Sequence, residues 1–241
     1  MITQSQWVRL WPGLAVIILL LGACASVPRQ EFDKQAQGAV KKIALLQVPE
    51  PNEISAINIG GASGMFGLIG GLAQAGDIQS KTNQYTDKMR QMNLQMGAEI
   101  AQALQRELKK QNYEIVYLSD QRPAIKNENQ GDYSAIRTDA DAILDVWYVT
   151  VGYLSTAGSL DYKPWVRVSA RLVSAKDQSK MYFRAFNYGA DLTSEGIENI
   201  GADPKYAYRN FDLLMNKADE SAEGLKSGVN PIAVRIGEQL R

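Results

Sequence analysis

The sequence predicts an α/β (α+β) fold, in which a mixed sheet of about five strands is accompanied by C-terminal helices. The predicted order is strand, helix, strand, short helix and then an antiparallel three-strand meander. Two observations carry this prediction: short runs rich in branched residues alternate with turn signals, and one long segment has apolar residues at three- and four-residue steps. An apolar fraction of 45% is ordinary for a globular protein, so we do not expect disorder.

The first strand and the first helix are predicted between residues 40 and 112. Residues 40–48 form a short branched run that ends at a Pro-Glu-Pro turn, which favours a buried strand. Residues 86–111 keep their apolar side chains on one helical face, and Asn112 suits a left-handed helix stop. The methionines of this helix suit packing on a sheet better than a soft binding groove.

The remaining elements follow in order along the chain. Residues 113–118 predict the second strand, residues 119–130 a polar loop, and residues 133–139 a short helix capped by Asp132. Residues 142–151, 165–174 and 180–188 predict the meander, because the middle run alternates apolar and polar side chains with a period of two. Asp203 before Pro204 and Asn230 before Pro231 predict two helix starts in the C-terminal part.

The N-terminal segment has the features of a membrane-targeting signal. The apolar run of residues 14–24 ends in Leu21-Gly22-Ala23-Cys24, which resembles the lipobox of bacterial lipoproteins. Its uncharged part is well short of the ~20 residues that span a bilayer, so a cleaved signal is preferred to a retained helix. Cys24 is the only cysteine, and the resemblance implies that it carries the lipid, with palmitate among the acyl chains, instead of serving as a buried or free thiol.

The resemblance also implies where the chain is held. Ala25 and Ser26 lack the aspartate that keeps enteric lipoproteins at the inner membrane, so we expect the periplasmic face of the outer membrane. We divide the chain into a signal peptide (1–23), a polar tether (24–39), an α/β periplasmic domain (40–190) with a glycine-rich insertion (59–76), and a C-terminal helical extension of the same domain (191–241).

The glycine-rich insertion has two open interpretations. Residues 59–76 contain seven glycines and no charge. One interpretation is a flexible loop that packs partly over the sheet. The other is a membrane or partner contact, because so much exposed apolar surface would otherwise be a liability. Its apolar side chains are the candidate contact residues: Met65, Phe66, Leu68, Ile69 and Leu72.

No pattern in the sequence indicates catalysis. The chain has no histidine, which removes the commonest general base and most zinc and haem sites. We therefore expect no catalytic residues, no cofactor and no metal. Asp139, Asp141 and Asp145 could suggest a calcium site or a carboxylate pair, but they lack an EF-hand framework. Asp139 and Asp141 lie at a predicted helix-to-strand junction, where acidic side chains are usually solvated.

Charge gives weak hints about partners. Basic and acidic residues are balanced at 26 each, so no nucleic acid partner is expected. Arg167 and Arg171 share one face of a predicted strand, where Arg184 or Tyr182 from the next strand could complete an anion or partner patch. A solvated sheet face is the plainer interpretation.

Two segments, residues 96–116 and residues 140–153 leading into 166–186, resemble the periplasmic α/β domain shared by the curli secretion lipoprotein CsgG, the N-terminal domain of TolB, and LpoB. The resemblance implies a non-enzymatic envelope protein. We expect a lipid-anchored binding or assembly factor with an envelope protein partner, able to form a homo-oligomer. The alternative is an oligomeric membrane-inserting secretion or pore component that uses residues 59–76.

Overall fold

The computed structural model describes residues 29–33, 39–59, 67–127, 130–156, 159–190 and 196–241. At residues 67–74, 125–127 and 130 it describes the backbone alone. The strands it describes are β1 (Lys42–Leu46), β2 (Ser55–Asn58), β3 (Glu114–Leu118), β4 (Ala124–Asn127), β5 (Gln130–Asp132), β6 (Ala142–Ser155), β7 (Lys163–Ser174), β8 (Lys180–Gly189) and β9 (Ile197–Ile200). The helices are α1 (Gly67–Gln91), α2 (Met96–Lys110), α3 (Phe211–Asn216), α4 (Ala218–Lys226) and α5 (Val229–Gln239), with a 3₁₀ turn at Pro204–Tyr206.

The main sheet is mixed, which confirms the predicted fold class. Its strand order is β3-β1-β6-β7-β8-β9. The pairs β1–β3, β1–β6 and β8–β9 are parallel, whereas β6, β7 and β8 form the antiparallel meander. All five predicted strands are present. The sheet also contains β2 and β9, two strands of four residues each, which are too short to show a period of two in the sequence.

β1 and β2 share one edge of the long strand β6. β1 pairs with its first residues, where Ile43 lies opposite Ala142, and β2 pairs with its last residues, where Ser55 lies opposite Gly152. A Cβ at Gly152 would overlap the backbone of Ser55. The glycine therefore allows β2 to approach β6 closely.

The predicted long helix is wrong in its extent, because two helices occupy that region. α1 ends at Gln91, and Asn93 has a left-handed φ of 53° that turns the chain into α2. Glu50 accepts hydrogen bonds from the backbone N–H groups of Gly97 (2.9 Å) and Ala98 (3.1 Å), which caps the start of α2. The predicted left-handed stop at Asn112 is confirmed by its φ of 67°.

Three local predictions need correction. Residues 67–76 belong to helix α1, so the loop interpretation of 59–76 is wrong for that part, while residues 60–66 lie outside the described residues. The predicted loop 119–130 contains β4, which pairs antiparallel with β5. Residues 133–139 are not helical. Asp132 accepts a hydrogen bond from the backbone of Ser134 within a turn, and Tyr133 and Ile136 are buried against the sheet.

The core lies mainly on one face of the sheet, under the helices. Met96, Ile100 and Leu104 of α2 and Ile232 and Ile236 of α5 are fully buried there against the apolar side chains of β1, β6, β7 and β8. A smaller cluster lies on the other face, near the start of β6, and consists of Ala44, Leu46, Tyr133, Ile136, Ala140, Ile143 and Val173. The rest of that second face carries no helix among the described residues.

The C-terminal helices join the same core. The apolar stripe predicted there is buried at Tyr208, Leu214, Ala218, Ala222 and Leu225. The predicted cap at Asp203 accepts a hydrogen bond from the backbone of Lys205, but it starts only a 3₁₀ turn, and Asn210 caps α3 instead.

Part of the predicted tether lies against the domain. Gln30 exchanges two backbone hydrogen bonds with Phe183 on β8, at 2.8 and 2.9 Å, and its side chain donates to the carbonyl of Lys180. Phe32 is buried. Residues 29–33 are therefore docked along the edge of β8.

Candidate functional site

The sheet face opposite the helices carries a group of large aromatic and cationic side chains. The antiparallel register of β6, β7 and β8 brings together five of them, which we call the tryptophan-arginine face: Trp147, Trp165, Arg167, Arg171 and Phe183. They share this face because residues two apart on one strand, and residues opposite on neighbouring strands, point to the same side. Trp147 and Trp165 are partly exposed on it.

Arg171 is held firmly within this face. Only 6% of the residue is exposed, and its guanidinium lies 5.1 Å from the ring of Trp147 and 5.2 Å from that of Phe183. Its Nη1 donates to the hydroxyl of Tyr133 at 3.2 Å. Both rings attract the cation through their negative faces, so Arg171 acts as a structural element.

Asp145 balances the charge at this end of the face. It is 3% exposed, accepts a hydrogen bond from Arg122 at 2.7 Å, and accepts another from the hydroxyl of Tyr133 at 3.0 Å. Burial raises the pKa of Asp145, and the guanidinium groups of Arg122 and Arg171 oppose that rise. Asp145, Arg122, Arg171 and Tyr133 thus form one connected buried network.

Arg167 differs from Arg171 although it lies four residues away on the same strand. Its Nε and Nη2 are shielded from solvent and have no hydrogen-bond partner among the described residues. Its guanidinium lies 5.8 Å from the ring of Trp165, whose Nε1 is also buried without a described partner. Burial lowers the pKa of Arg167, but guanidinium groups stay protonated in proteins. The region therefore holds a positive charge and three unused N–H donors.

The two unused nitrogens of Arg167 have a particular chemical meaning. Nε and Nη2 form the side of the guanidinium that binds a carboxylate or phosphate through two parallel hydrogen bonds. Opposite Arg167, Asn187 donates to the carbonyl of Ala190 at 2.9 Å and to Asn199 Oδ1 at 3.1 Å, and its own Oδ1 has no described partner. No carboxylate of the described residues is paired with Arg167. A planar anionic group could bind to these two nitrogens only after the side chains that shield them from solvent move aside.

Arg167 and Arg171 share one sheet face, as predicted, but with other neighbours than expected. Arg184 and Tyr182 lie on the opposite, helix-covered face, where both contact Oε1 of Gln239. The register places Phe183 and Asn187 opposite the two arginines instead. The solvated-face interpretation is also wrong for Arg171, because it is buried. The tryptophans were missed in the sequence, although Trp165 and Arg167 share one face in the alternating pattern.

The three aspartates considered for metal binding have separate roles. Asp141 accepts hydrogen bonds from the backbone of Lys41 (2.8 Å) and Lys42 (2.9 Å), and Asp139 pairs with the side chain of Lys42 at 2.7 Å. Asp145 belongs to the buried arginine network. Among the residues that the structure describes, no three potential ligands come close enough to hold a metal ion.

The remaining predicted site residues are Cys24 and the five apolar residues of the glycine-rich insertion. Cys24, Met65 and Phe66 lie outside the described residues, and Leu68, Ile69 and Leu72 belong to the first turns of α1, where only the backbone is described. Within the described part of the chain, no helix has the length and apolar character needed to cross a membrane.

A shallow groove lies at the junction of α1 and α2. Its volume is about 400 Å³, and the lining residues come from this junction and from α4: Met92, Leu94, Asp219, Glu220, Ala222, Glu223 and Lys226. Met89 and Met96, on either side of the junction, are buried in the core. The methionines of this region thus mostly pack on the sheet, as predicted.

No protein-family model matches the sequence, and no curated protein matches it. Several solved structures match, among them three different proteins. The PelC dodecamer from Paraburkholderia phytofirmans has 10% identity, covers 88% of this chain and 94% of its own, and has a TM-score of 0.36. Protein XCC0632 from Xanthomonas campestris, of the family DUF330, has 8% identity, coverage of 88% and 90%, and a TM-score of 0.40.

The third is lipoprotein GNA1162 from Neisseria meningitidis, with 12% identity, coverage of 78% and 99%, and a TM-score of 0.25. With identities of 8–12% and TM-scores of 0.25–0.40, these similarities do not assign a family or a function to this chain. The resemblance to CsgG, TolB and LpoB stays a prediction.

Proposed function

We propose that this chain is a non-catalytic binding or assembly protein of the bacterial cell envelope, anchored by a lipid on Cys24 to the periplasmic face of the outer membrane. We propose further that it binds an acidic segment of a partner protein on the tryptophan-arginine face. The observation that carries the binding role is that Nε and Nη2 of Arg167, and Nε1 of the neighbouring Trp165, have no hydrogen-bond partner among the described residues.

Burying these nitrogen donors without acceptors is unfavourable in free energy. A buried donor that lacks an acceptor loses its hydration and gains nothing, at roughly 1–3 kcal/mol for each group and more for a charged one. Three such donors in one place are a poor arrangement for an isolated domain. A carboxylate supplied by a partner would accept from Arg167 and remove this cost.

The neighbouring side chains support a protein partner. Tryptophan and arginine are enriched at the energetic centres of protein interfaces, where a large flat ring and a charged group are buried together. Both tryptophans are partly exposed: Trp165 lies beside Arg167 on β7, and Trp147 lies beside Arg171 on the neighbouring strand β6. The face thus offers both apolar area and a fixed positive charge to an acidic segment.

The test is site-specific photocrosslinking in intact cells. A benzophenone side chain in place of Trp147 should give one adduct of defined mass, and the same group in place of the exposed Arg209 should not. Adding Arg167→Gln should abolish the adduct at position 147, while adding Arg209→Gln should leave it unchanged. An adduct that survives Arg167→Gln would contradict the proposal.

The membrane-inserting alternative predicts a different result. A secretion or pore component that uses residues 59–76 should form oligomers in detergent and release dye from liposomes, and deletion of 60–66 should abolish both. A binding protein should keep its partner adduct after that deletion. Cross-linking of the purified lipidated protein also reports whether it forms a homo-oligomer.

A further inference from the structure

Two of the three most exposed large apolar side chains among the described residues lie at one end of the molecule. Among the described residues, the most exposed large apolar side chains are Leu160 (69%), Val149 (54%) and Ile59 (44%). Ile59 directly follows β2, and its N–H donates to the carbonyl of Ser155 at the end of β6. Leu160 lies in the connection from β6 to β7. Ile59 and Leu160 therefore belong to the same end of the sheet, which we call the β6 exit end.

The start of α1 lies at that same end. Thr82 and Thr86 of α1 hydrogen-bond Ala56 and Ile54 of β2, so the helix runs antiparallel to the strand and its earlier residues lie towards the β6 exit end. Thr82 is the first fully buried side chain of α1 among those described. Gly76 has no neighbour within 4 Å of a Cβ position, and Ala75 and Asp77 are exposed.

The projecting part of α1 is long and uncharged. Residues 67–76 contain no acidic or basic side chain, and the first charge of the helix is Asp77. At ~1.5 Å per residue these ten residues extend over about 15 Å. A soluble helix end normally carries charged side chains, so this composition is typical of contact with an apolar medium.

The docking of residues 29–33 limits how far the domain can lie from the lipid. Because Gln30 pairs with Phe183, only residues 25–28 separate Arg29 from Cys24. An extended chain spans at most ~3.6 Å per residue, so Cys24 lies within about 18 Å of Arg29. The flexible linker between Cys24 and the domain is therefore much shorter than the predicted tether of 24–39.

Gln30 is antiparallel to β8, so Arg29, the first described residue, lies on the Gly189 side of Gln30. Gly189 pairs with Trp165, which pairs with Gly152 near the end of β6, so this is also the side of the β6 exit end.

From this convergence we infer that the β6 exit end faces the lipid bilayer, with Ile59, Leu160 and the first turns of α1 in contact with it. The inference rests on the proposed lipid anchor at Cys24. It assigns an orientation to the domain: the bilayer covers the β6 exit end, and the β7–β8 turn at Lys176 points away from it.

The lipidated protein in vesicles provides the test. An acylated Cys24 leaves the mature chain without a free thiol, so one introduced cysteine takes a fluorescent label alone. Ile59→Cys, Ala75→Cys and Leu160→Cys place the label at the β6 exit end, and Lys176→Cys is the matched exposed control at the other end. The vesicles contain phosphatidylethanolamine, phosphatidylglycerol and a spin-labelled lipid.

Labels at positions 59, 75 and 160 should emit at shorter wavelength and be quenched several-fold more than the label at 176. Equal quenching at all four positions, or stronger quenching at 176, would overturn the orientation. A wavelength shift without quenching would mean that a second copy of the chain covers this end, which also overturns it. Labelling of the unsubstituted protein would instead show that Cys24 carries no lipid, so this measurement separates a failure of the proposed anchor from a failure of the orientation.

Discussion

Arg167 and Arg171 lie on the same face of β7, yet their surroundings give them opposite relations to stability. Arg171 contacts two rings and the hydroxyl of Tyr133, whereas Nε and Nη2 of Arg167 have no described partner. A buried cation contributes to the free energy of unfolding through the partners that compensate its lost hydration. A buried cation without such partners lowers the free energy of unfolding.

This difference predicts contrasting effects of the same substitution. Arg171→Met should lower the free energy of unfolding by about 3 kcal/mol, because it leaves Asp145 buried with fewer partners. Arg167→Met should leave it unchanged or raise it slightly, because it removes unpaired donors. Urea unfolding of the two variants checks this, and a large loss in Arg167→Met would mean that Arg167 has a structural role.

Gly224 predicts a second effect at the scale of one residue. A Cβ there would overlap the hydroxyl of Tyr153 and lie 3.0 Å from Cγ of Tyr206. Tyr153 is fully buried and donates to the carbonyl of Ser221 at 3.0 Å, so it has little room to move. Gly224→Ala should therefore destabilise the protein by about 2–3 kcal/mol in thermal or urea unfolding.

Gly237→Ala is the matched control for this prediction, because it also lies in a C-terminal helix. Its Cβ would meet Glu107 at 3.4 Å, an ordinary contact, and alanine favours a helix by ~1 kcal/mol over glycine. We expect Gly237→Ala to be neutral or stabilising. Equal losses in both variants would contradict the steric explanation.

At the scale of elements, α1 serves as the outer neighbour of β2. Among the described residues, β2 pairs with a strand along one edge, where it meets β6. On the other edge, Thr86 accepts from the N–H of Ile54 at 3.0 Å and Thr82 accepts from that of Ala56 at 3.1 Å. Two threonines one helical turn apart therefore satisfy an edge that would otherwise expose unpaired backbone groups.

Replacing these threonines should loosen β2 selectively. Thr86→Val keeps the shape but leaves a buried N–H unsatisfied, which costs about 1–3 kcal/mol. We expect amide exchange to rise at Ile54 in Thr86→Val and at Ala56 in Thr82→Val, with β7 unaffected. Ser80→Ala, at an exposed position of α1, is the control and should change neither amide.

The elements also show how far local pattern could predict the fold. The meander strands were predicted almost to their ends, because one buried face imposes alternation on each of them. The break between α1 and α2 was missed because Met89, Met92 and Met96 keep helical spacing across it. Asn93 was the available signal, since its left-handed φ repeats the cue that had been recognised at Asn112.

At the scale of the whole molecule, acid stability follows from carboxylates that tie segments together. Backbone hydrogen bonds from Lys41 and Lys42 lower the pKa of Asp141, and hydrogen bonds from Ser179 lower the pKa of Asp177 to about 2. A carboxylate with a lowered pKa stabilises the fold above its unfolded value near ~3.9, and that contribution is lost as the pH falls through the folded value.

The urea midpoint should therefore fall between pH 4 and pH 2. Asp141→Asn combined with Asp177→Asn keeps the hydrogen-bond acceptors but removes the titration, so the fall should be shallower in this variant. Urea titrations at half-unit steps of pH measure it. An unchanged slope would mean that other carboxylates control acid unfolding.

The sequence by itself determined the fold class, the five predicted strands and the stripe of the C-terminal helices, and it provides the prediction for Cys24. All of these depend on neighbours within one segment, where the period of a strand or helix is written directly in the order of residues. The tertiary structure decided which residues meet. It placed Phe183 and Asn187 opposite the arginines, left Arg167 without a described partner, and docked Gln30 on β8. These contacts join residues far apart in the chain, so strand register and helix packing fix them, and no local pattern contains that information.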